Sequence, residues 1–283
     1  MGMSEDTGTT TTVDSGPRVH TGSSRLHIMG SAASPLANSF PSFTLEFSDD
    51  EDAGAANSVS LRRRYTGSRV NSMTLSGSVD EPVKVAIDYM SQGVTAATAA
   101  HSTVTEYTAD PFVFYQGQVY ATGAAITAYT QPGTTAELAE VKSFDFTVNN
   151  NLESTWYVSG TTNVYQTLRG VKHLIPKGRD YEASIQMDFK NWNQFRRFLG
   201  NTTATTSQGT LSRYQVALDF VRTGTIGAAV KLATDDWIRI VLASCAFEDM
   251  NITGAPEDVV GQNIGLQVKK AKVYVVDTDT AYT

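Results

Sequence analysis

The chain has a single cysteine, Cys245, among its 283 residues, so no intrachain disulfide can form and a cysteine-rich structural zinc site is out of reach. Cys245 lies in the apolar run "WIRIVLASCAFEDM" and is read as a small buried hydrophobe. Charge is sparse too: 18% of residues are Asp, Glu, Lys or Arg, against roughly 25% in an average soluble protein, and Ser, Thr and Gly fill the gap. Positive charge is in deficit. With a net charge of −7 and a pI near 5.1, the chain lacks the clustered Lys and Arg that grip nucleic acid, although DNA could still pass it without sticking. No apolar run reaches the eighteen residues of a membrane-spanning helix, and "MGMSEDTGTTTTVDSG" has no apolar segment of the secretory kind. A soluble, unprocessed chain is expected, in which the triplets at Asn201 and Asn251 carry little weight as glycosylation sites.

Signs of catalysis are equally scarce. His20, His27, His101 and His173 stand in unlike contexts, with no pair at the spacing that puts two imidazoles on one helix face. No G-x-S-x-G surrounds a serine, and neither phosphate-binding glycine motif occurs. The best carboxylate pairs, Asp235 with Asp236 and Asp277 with Asp279, read as exposed turn and tail positions. No catalytic residue, cofactor or metal ligand is expected, and the chain is read as a non-enzyme. Glycosidases can hide two distant carboxylates on a β scaffold, which keeps a carbohydrate-active enzyme among the alternatives.

What the chain does have is alternation. Short apolar runs separated by turn signals begin at "RLHIMGS" and include "FPSFTLEFS", "RVNSMTLSGSV", "SFDFTVNN", "YEASIQMDF", "YQVALDFV" and "IGLQVKKAKVYVV". In "PVKVAIDYM", Val83, Val85, Ile87 and Tyr89 fall on one face and Lys84 and Asp88 on the other, the pattern of a half-buried strand. One segment differs. "KNWNQFRRFLGN" spaces Trp192, Phe195 and Leu199 for one face of a short helix, capped near Asn191 and stopped at Gly200, with Arg196 and Arg197 near its C-terminus. That aromatic face is expected to cover an open side of a sheet or barrel. The fold class is therefore mainly β: a β-sandwich or partly closed β-barrel with a short flanking α-helix. Residues 1–40, rich in Thr, Ser and Gly near their start, are read as a mobile arm that could order on assembly.

Two features ask for a role. The acidic run with Asp49, Asp50, Glu51 and Asp52 and the basic run Arg62, Arg63 and Arg64 flank the loop-like "AGAANSVS". They form either a solvated hairpin or complementary patches that meet on neighbouring copies of the chain. Three asparagines, Asn149, Asn150 and Asn151, interrupt two apolar runs in "FDFTVNNNLESTWYVSG", where their short amides suit a turned corner.

Four places in order along the chain carry a family resemblance. "PSFTLEF" at 41–47 leads to "LRRRYTGSRVNSMTLSGSVDEPVKVAIDYM" at 61–90. "VKSFDFTVNNNLE" follows, and then "GRDYEASIQMDF" with its helix, "IRIVLASCAFEDMNI" and "IGLQVKKAKVYVV". This succession resembles the tail tube proteins of long-tailed viruses of bacteria and archaea, over roughly residues 41–276. The resemblance implies a tail tube β domain over 41–283, with an Ala/Thr-rich insertion near 91–135. It implies assembly with itself as homohexameric rings stacked into a hollow tube, contact with other tail proteins, location in the virion, viral DNA passing through the lumen without specific binding, and no membrane partner. Asn149, Asn150, Asn151 and Glu153 would form a structural corner holding the second half of the domain. The lumen face would carry more Asp and Glu than Lys and Arg, because a negative wall repels phosphates. A β-sandwich adhesin or receptor-binding tail component is the alternative from another class, told apart by remaining a monomer or small trimer that binds sugars.

Overall fold

The computed structural model describes residues 3–6, 10–12, 17–19, 25–29, 42–50, 60–97, 110–126, 138, 141–155, 173–210, 212–223, 236–254 and 260–277. Its strands are β1 (Met3–Asp6), β2 (Thr10–Thr12), β3 (Pro17–Val19), β4 (Arg25–Met29), β5 (Phe43–Asp50), β6 (Ser60–Ser78), β7 (Lys84–Met90), β8 (Gly93–Ala97), β9 (Gly117–Thr122), β10 (Val141–Asn149), β11 (Leu152–Thr155), β12 (His173–Pro176), β13 (Asp180–Asp188), β14 (Tyr214–Thr223), β15 (Asp236–Thr253), β16 (Gly261–Gln267) and β17 (Lys270–Asp277). The helix α1 spans Asn193–Leu199. Nearly all strand pairing is between antiparallel neighbours of one large sheet, which does not close into a barrel.

That sheet folds into two layers because one strand belongs to both. The first half of β15 pairs with β17 and β14 from Trp237 to Ala243, and the second half pairs with β16 from Ala246 to Thr253. Between the halves Ser244 takes a positive φ of 59°, which turns the strand from one layer into the other. One layer runs β7–β6–β10–β13–β16–β15, the other β9–β14–β15–β17–β4–β1. Strict alternation sends Phe144, Phe146, Val148, Ile185, Met187, Ile264 and Leu266 inward from the first, against Val216, Leu218, Phe220, Ile240 and Leu242 from the second. The architecture is a β-sandwich, and Cys245 lies fully buried at its bend with its thiol donating to the Leu242 carbonyl at 3.2 Å.

The helix departs from its expected orientation. Its buried residue is Gln194, and Phe198 packs against the core, while Trp192 stays 56% exposed beside Phe189 and Phe195. Arg197 explains the rotation: its guanidinium lies 5.2 Å from the Tyr214 ring centroid and donates to the Ala121 carbonyl at 3.2 Å, so the basic edge turns inward. Asn191 Oδ1 accepts the Asn193 backbone N–H at 2.9 Å, and Gly200, at φ 137°, ends the helix.

The second layer carries an ion pair with no exposed surface. Asp219 and Arg239 stand opposite each other across β14 and β15, joined by two bonds of 2.7 and 2.5 Å, with Arg239 stacked 4.9 Å from the buried Trp237 ring. Removing one partner of such a pair strands a charge in a dry site. Asp219→Ala is expected to lower the unfolding free energy by about 3–5 kcal/mol in urea titration, and the double variant Asp219→Leu/Arg239→Met to lose much less.

Candidate functional site

At Asn149–Asn151 the chain turns from β10 into β11. Asn151 holds the left-handed φ of 47°, and its N–H donates to Asn149 Oδ1 at 3.0 Å. Asn150 is only 1% exposed and satisfies three partners: its N–H donates to the Asn71 carbonyl (2.7 Å), its Nδ2 to the Val70 carbonyl (3.0 Å), and its Oδ1 accepts from Arg179 Nε (2.8 Å). Asn151 Nδ2 donates to the Gly178 carbonyl at 3.0 Å and to Asp180 Oδ2 at 2.6 Å. The corner thus ties β6, β10, the β11–β12 hairpin and the start of β13 at one end of the first layer. Glu153 contributes an ion pair with Lys177 at 2.7 Å, both side chains about half exposed. Sequence reading missed Asn71 and Arg179 as members. Asn71 sits where the β6–β7 register shifts, and no local pattern announces a bulge.

The two charge runs fall on the paired strands β5 and β6 of one chain, with Asp49 opposite Leu61, Asp50 opposite Ser60 and Ser48 opposite Arg62. Arg64 forms an ion pair with Glu46 at 2.5 Å within the same hairpin, and Arg63 is exposed. Glu51 and Asp52 lie outside the described residues, as does Asp235 and Asp279 of the carboxylate pairs. Among the described residues no cluster of His, Cys, Asp and Glu could hold a metal ion.

Along the other side of β6, beyond the bridge of Pro82 and Val83 to Phe112 and Val113, a long edge is open among the described residues. β7 and β8 follow each other down this side, pairing from Ser76↔Lys84 to Arg62↔Ala97, and among the described residues neither pairs with another strand. Gly67, at φ 63°, sits where β6 passes from β7 to β8; a Cβ there would come within 2.3 Å of Gln92 Oε1. Met73↔Ile87 and Leu75↔Val85 are direct neighbours, so Val85 and Ile87 belong to the core face of the layer. They are nevertheless 55% and 53% exposed, since the second layer does not reach them. Phe47 (51%) and Val94 (54%) extend the same strip, with Phe47 stacked against Tyr89. The alternation in "PVKVAIDYM" therefore marks a strand whose apolar face is open, contrary to the half-buried reading. Isolated apolar residues on a surface mean little, but a contiguous strip along an open strand edge marks an interaction surface.

The opposite face of this layer is polar. Between the Ser72 and Ser78 rows it presents Thr74, Ser76, Ser143, Thr147, Ser184, Gln186, Asn263 and Gln267, with Asp88, Asp145, Asp180, Glu182 and Asp249 against Lys84. The next row adds Lys142, neutralised by Asp188 at 2.6 Å.

The family model for phage tail tube proteins matches residues 1–268. The chain belongs to the phage tail tube protein family. As such it is a structural protein of the virion tail that assembles with itself and with other tail proteins. No curated protein matches the chain.

The corner makes an asymmetric demand on its residues. Asn150→Ala removes a buried amide that serves Val70 and Arg179 and should lower stability by about 2 kcal/mol in urea. Glu153→Ala, which touches only the exposed Lys177, should change it by less than about 1 kcal/mol in the same titration.

Proposed function

We propose that this tail tube protein forms hexameric rings through the β7–β8 edge, and that the rings stack into a hollow tube whose wall facing the passing DNA is the polar face of the first layer. The open edge is the observation that carries the reading. This edge, which among the described residues pairs with no further strand, and the adjoining strip of Val85, Ile87, Val94 and Phe47 are an aggregation hazard in a monomer and an asset in a closed ring, where a neighbour covers both. The opposite face supports the conduit role: carboxylates outnumber lysines along its rows, and Lys84 and Lys142 are each paired with an acid, Glu81 and Asp188, so the face favours repulsion of phosphates over their retention. The protein acts by geometry, without turnover.

Three further assignments rest on the same reading. Asn149, Asn150, Asn151 and Glu153 form a structural corner that holds the second half of the domain, not a ligand site. Asp49, Asp50, Glu51 and Asp52 engage basic residues among Arg62, Arg63 and Arg64 of an adjacent copy once rings form. Residues 1–40 serve as an arm to the domain at 41–283, and β4 of that arm pairs with β17 as a strand of the second layer.

Electron microscopy of the purified protein over a concentration series tests the reading. Rings or tubes of uniform bore are the expected outcome, and a species that stays monomeric while binding a glycan array would overturn it for the adhesin. Ile87→Lys places a charge in the strip and should abolish rings while leaving the circular dichroism of the monomer unchanged.

A further inference from the structure

The two ends of strand β13 present unlike surfaces. At its start, Arg179 and Glu182 join Arg213, Glu248, Val268 and Lys269 around an open cavity of about 510 Å³, within the size range of sites that accept a foreign group. At its other end the chain leaves β13 through Phe189 and reaches Trp192, which stands 56% exposed with its ring edge-on to Phe189 (5.2 Å) and Phe195 (5.4 Å). Phe189 is fixed by its N–H bond to the Val260 carbonyl at 2.7 Å, and Val260 itself is 39% exposed. The ridge therefore rests on the sheet end. Nine strand residues separate the two features, roughly 30 Å at a strand's rise per residue.

Opposite ends with complementary surfaces are what a head-to-tail contact requires. Building on the ring reading above, we infer that the Trp192 ridge of one copy seats in the Arg179–Arg213–Lys269 cavity of a copy in the next ring. The chemistry fits on both counts. An indole face attracts guanidinium and ammonium groups and packs against the apolar wall at Val268, and Arg196, exposed one helical turn from Trp192, is brought towards Glu182 and Glu248. A buried aromatic surrounded by polar groups is also the usual form of a dominant contact at an interface. Because the ridge and the cavity stand at opposite ends of β13, a head-to-tail contact between them repeats from one ring to the next when copies stack along an axis.

Cysteine pairing tests the contact directly. Cys245 is fully buried and burial pushes its thiol up to about 12, so introduced cysteines are the reactive ones. Assembled Trp192→Cys/Lys269→Cys protein treated with a short bis-maleimide should give a ladder of covalent multimers running past the number of copies in one ring, and neither single variant should link. A ladder that stops at one ring's worth of copies places the contact laterally and overturns the inference. Links formed by Trp192→Cys alone overturn it as well, since like ends then meet. Tubes visible in micrographs of the double variant with no link overturn the contact and leave the tube reading standing, whereas an absence of any stacked assembly in the unmodified protein overturns both. Independently, Trp192→Ala and Lys269→Glu, both on exposed side chains, should raise the concentration needed for tube growth roughly tenfold while isolated rings persist; unchanged growth in both counts against the seat.

Discussion

Everything in the first layer hangs on β6, whose nineteen residues hydrogen-bond to four other strands. On one side it carries β10 and β5 end to end, on the other β7 and β8 end to end. A strand this long twists too far to stay in one plane, so it must bend, and the sequence supplies the means: Gly67 in a left-handed conformation, the buried Ser68 bonding to the Tyr65 carbonyl and to Ser91, and the bulge at Asn71. Asn71 then offers its carbonyl to Asn150 and its side-chain oxygen to Leu152. The irregularity in β6 is thereby the anchor of the asparagine corner, and local strain in one strand fixes the path of another.

A second bend does comparable work in β15. Ser244 turns it between layers, and the hydrophobic alternation on both halves stays in phase with the core because register shifts accompany the turn at Tyr214/Val216 and Phe247/Asp249. The Asp219–Arg239 pair lies on the far face of the layer from that core. A bidentate pair between directly opposed residues is satisfied in one register and stranded in any slipped one, so it selects alignment more than it adds stability.

Much of this was legible in the chain. Period-two alternation located the strands, the Asn-rich interruption marked a turn, and the order of the motifs pointed to the family, because these are local signals with local causes. Exposure was not legible. Val85 and Ile87 alternate as a covered strand would, and only the reach of the opposing layer decides that they are open. The helix orientation differs for a related reason: spacing set Trp192, Phe195 and Leu199 on one side, yet the Arg197 contacts with Tyr214 and Ala121, which are distant in sequence, leave Phe195 and Leu199 half-buried and Trp192 exposed. Arg179 joined the corner across twenty-nine positions, a pairing that no window of the sequence contains.

The two errors have one direction. In both, residues that a monomer should hide are left on the surface, at the long edge and at one sheet end, while the polar face is built mainly from short or neutral side chains and carboxylates, its Lys84 and Lys142 held in ion pairs with Glu81 and Asp188. A chain selected only to fold alone would bury the first and spread its lysines over the second. On the proposed ring reading the surface is that of an unfinished structure: Val85, Ile87, Val94 and Phe47 at the edge and Trp192 at the sheet end are where neighbouring copies would add cover, and the carboxylates of the polar face would border a space that exists only after they have done so. Lys84 and Asp88, on the opposite face of the same edge strand, are compatible with this economy, since charges flanking an open strand hinder indiscriminate pairing without blocking a partner that arrives in register.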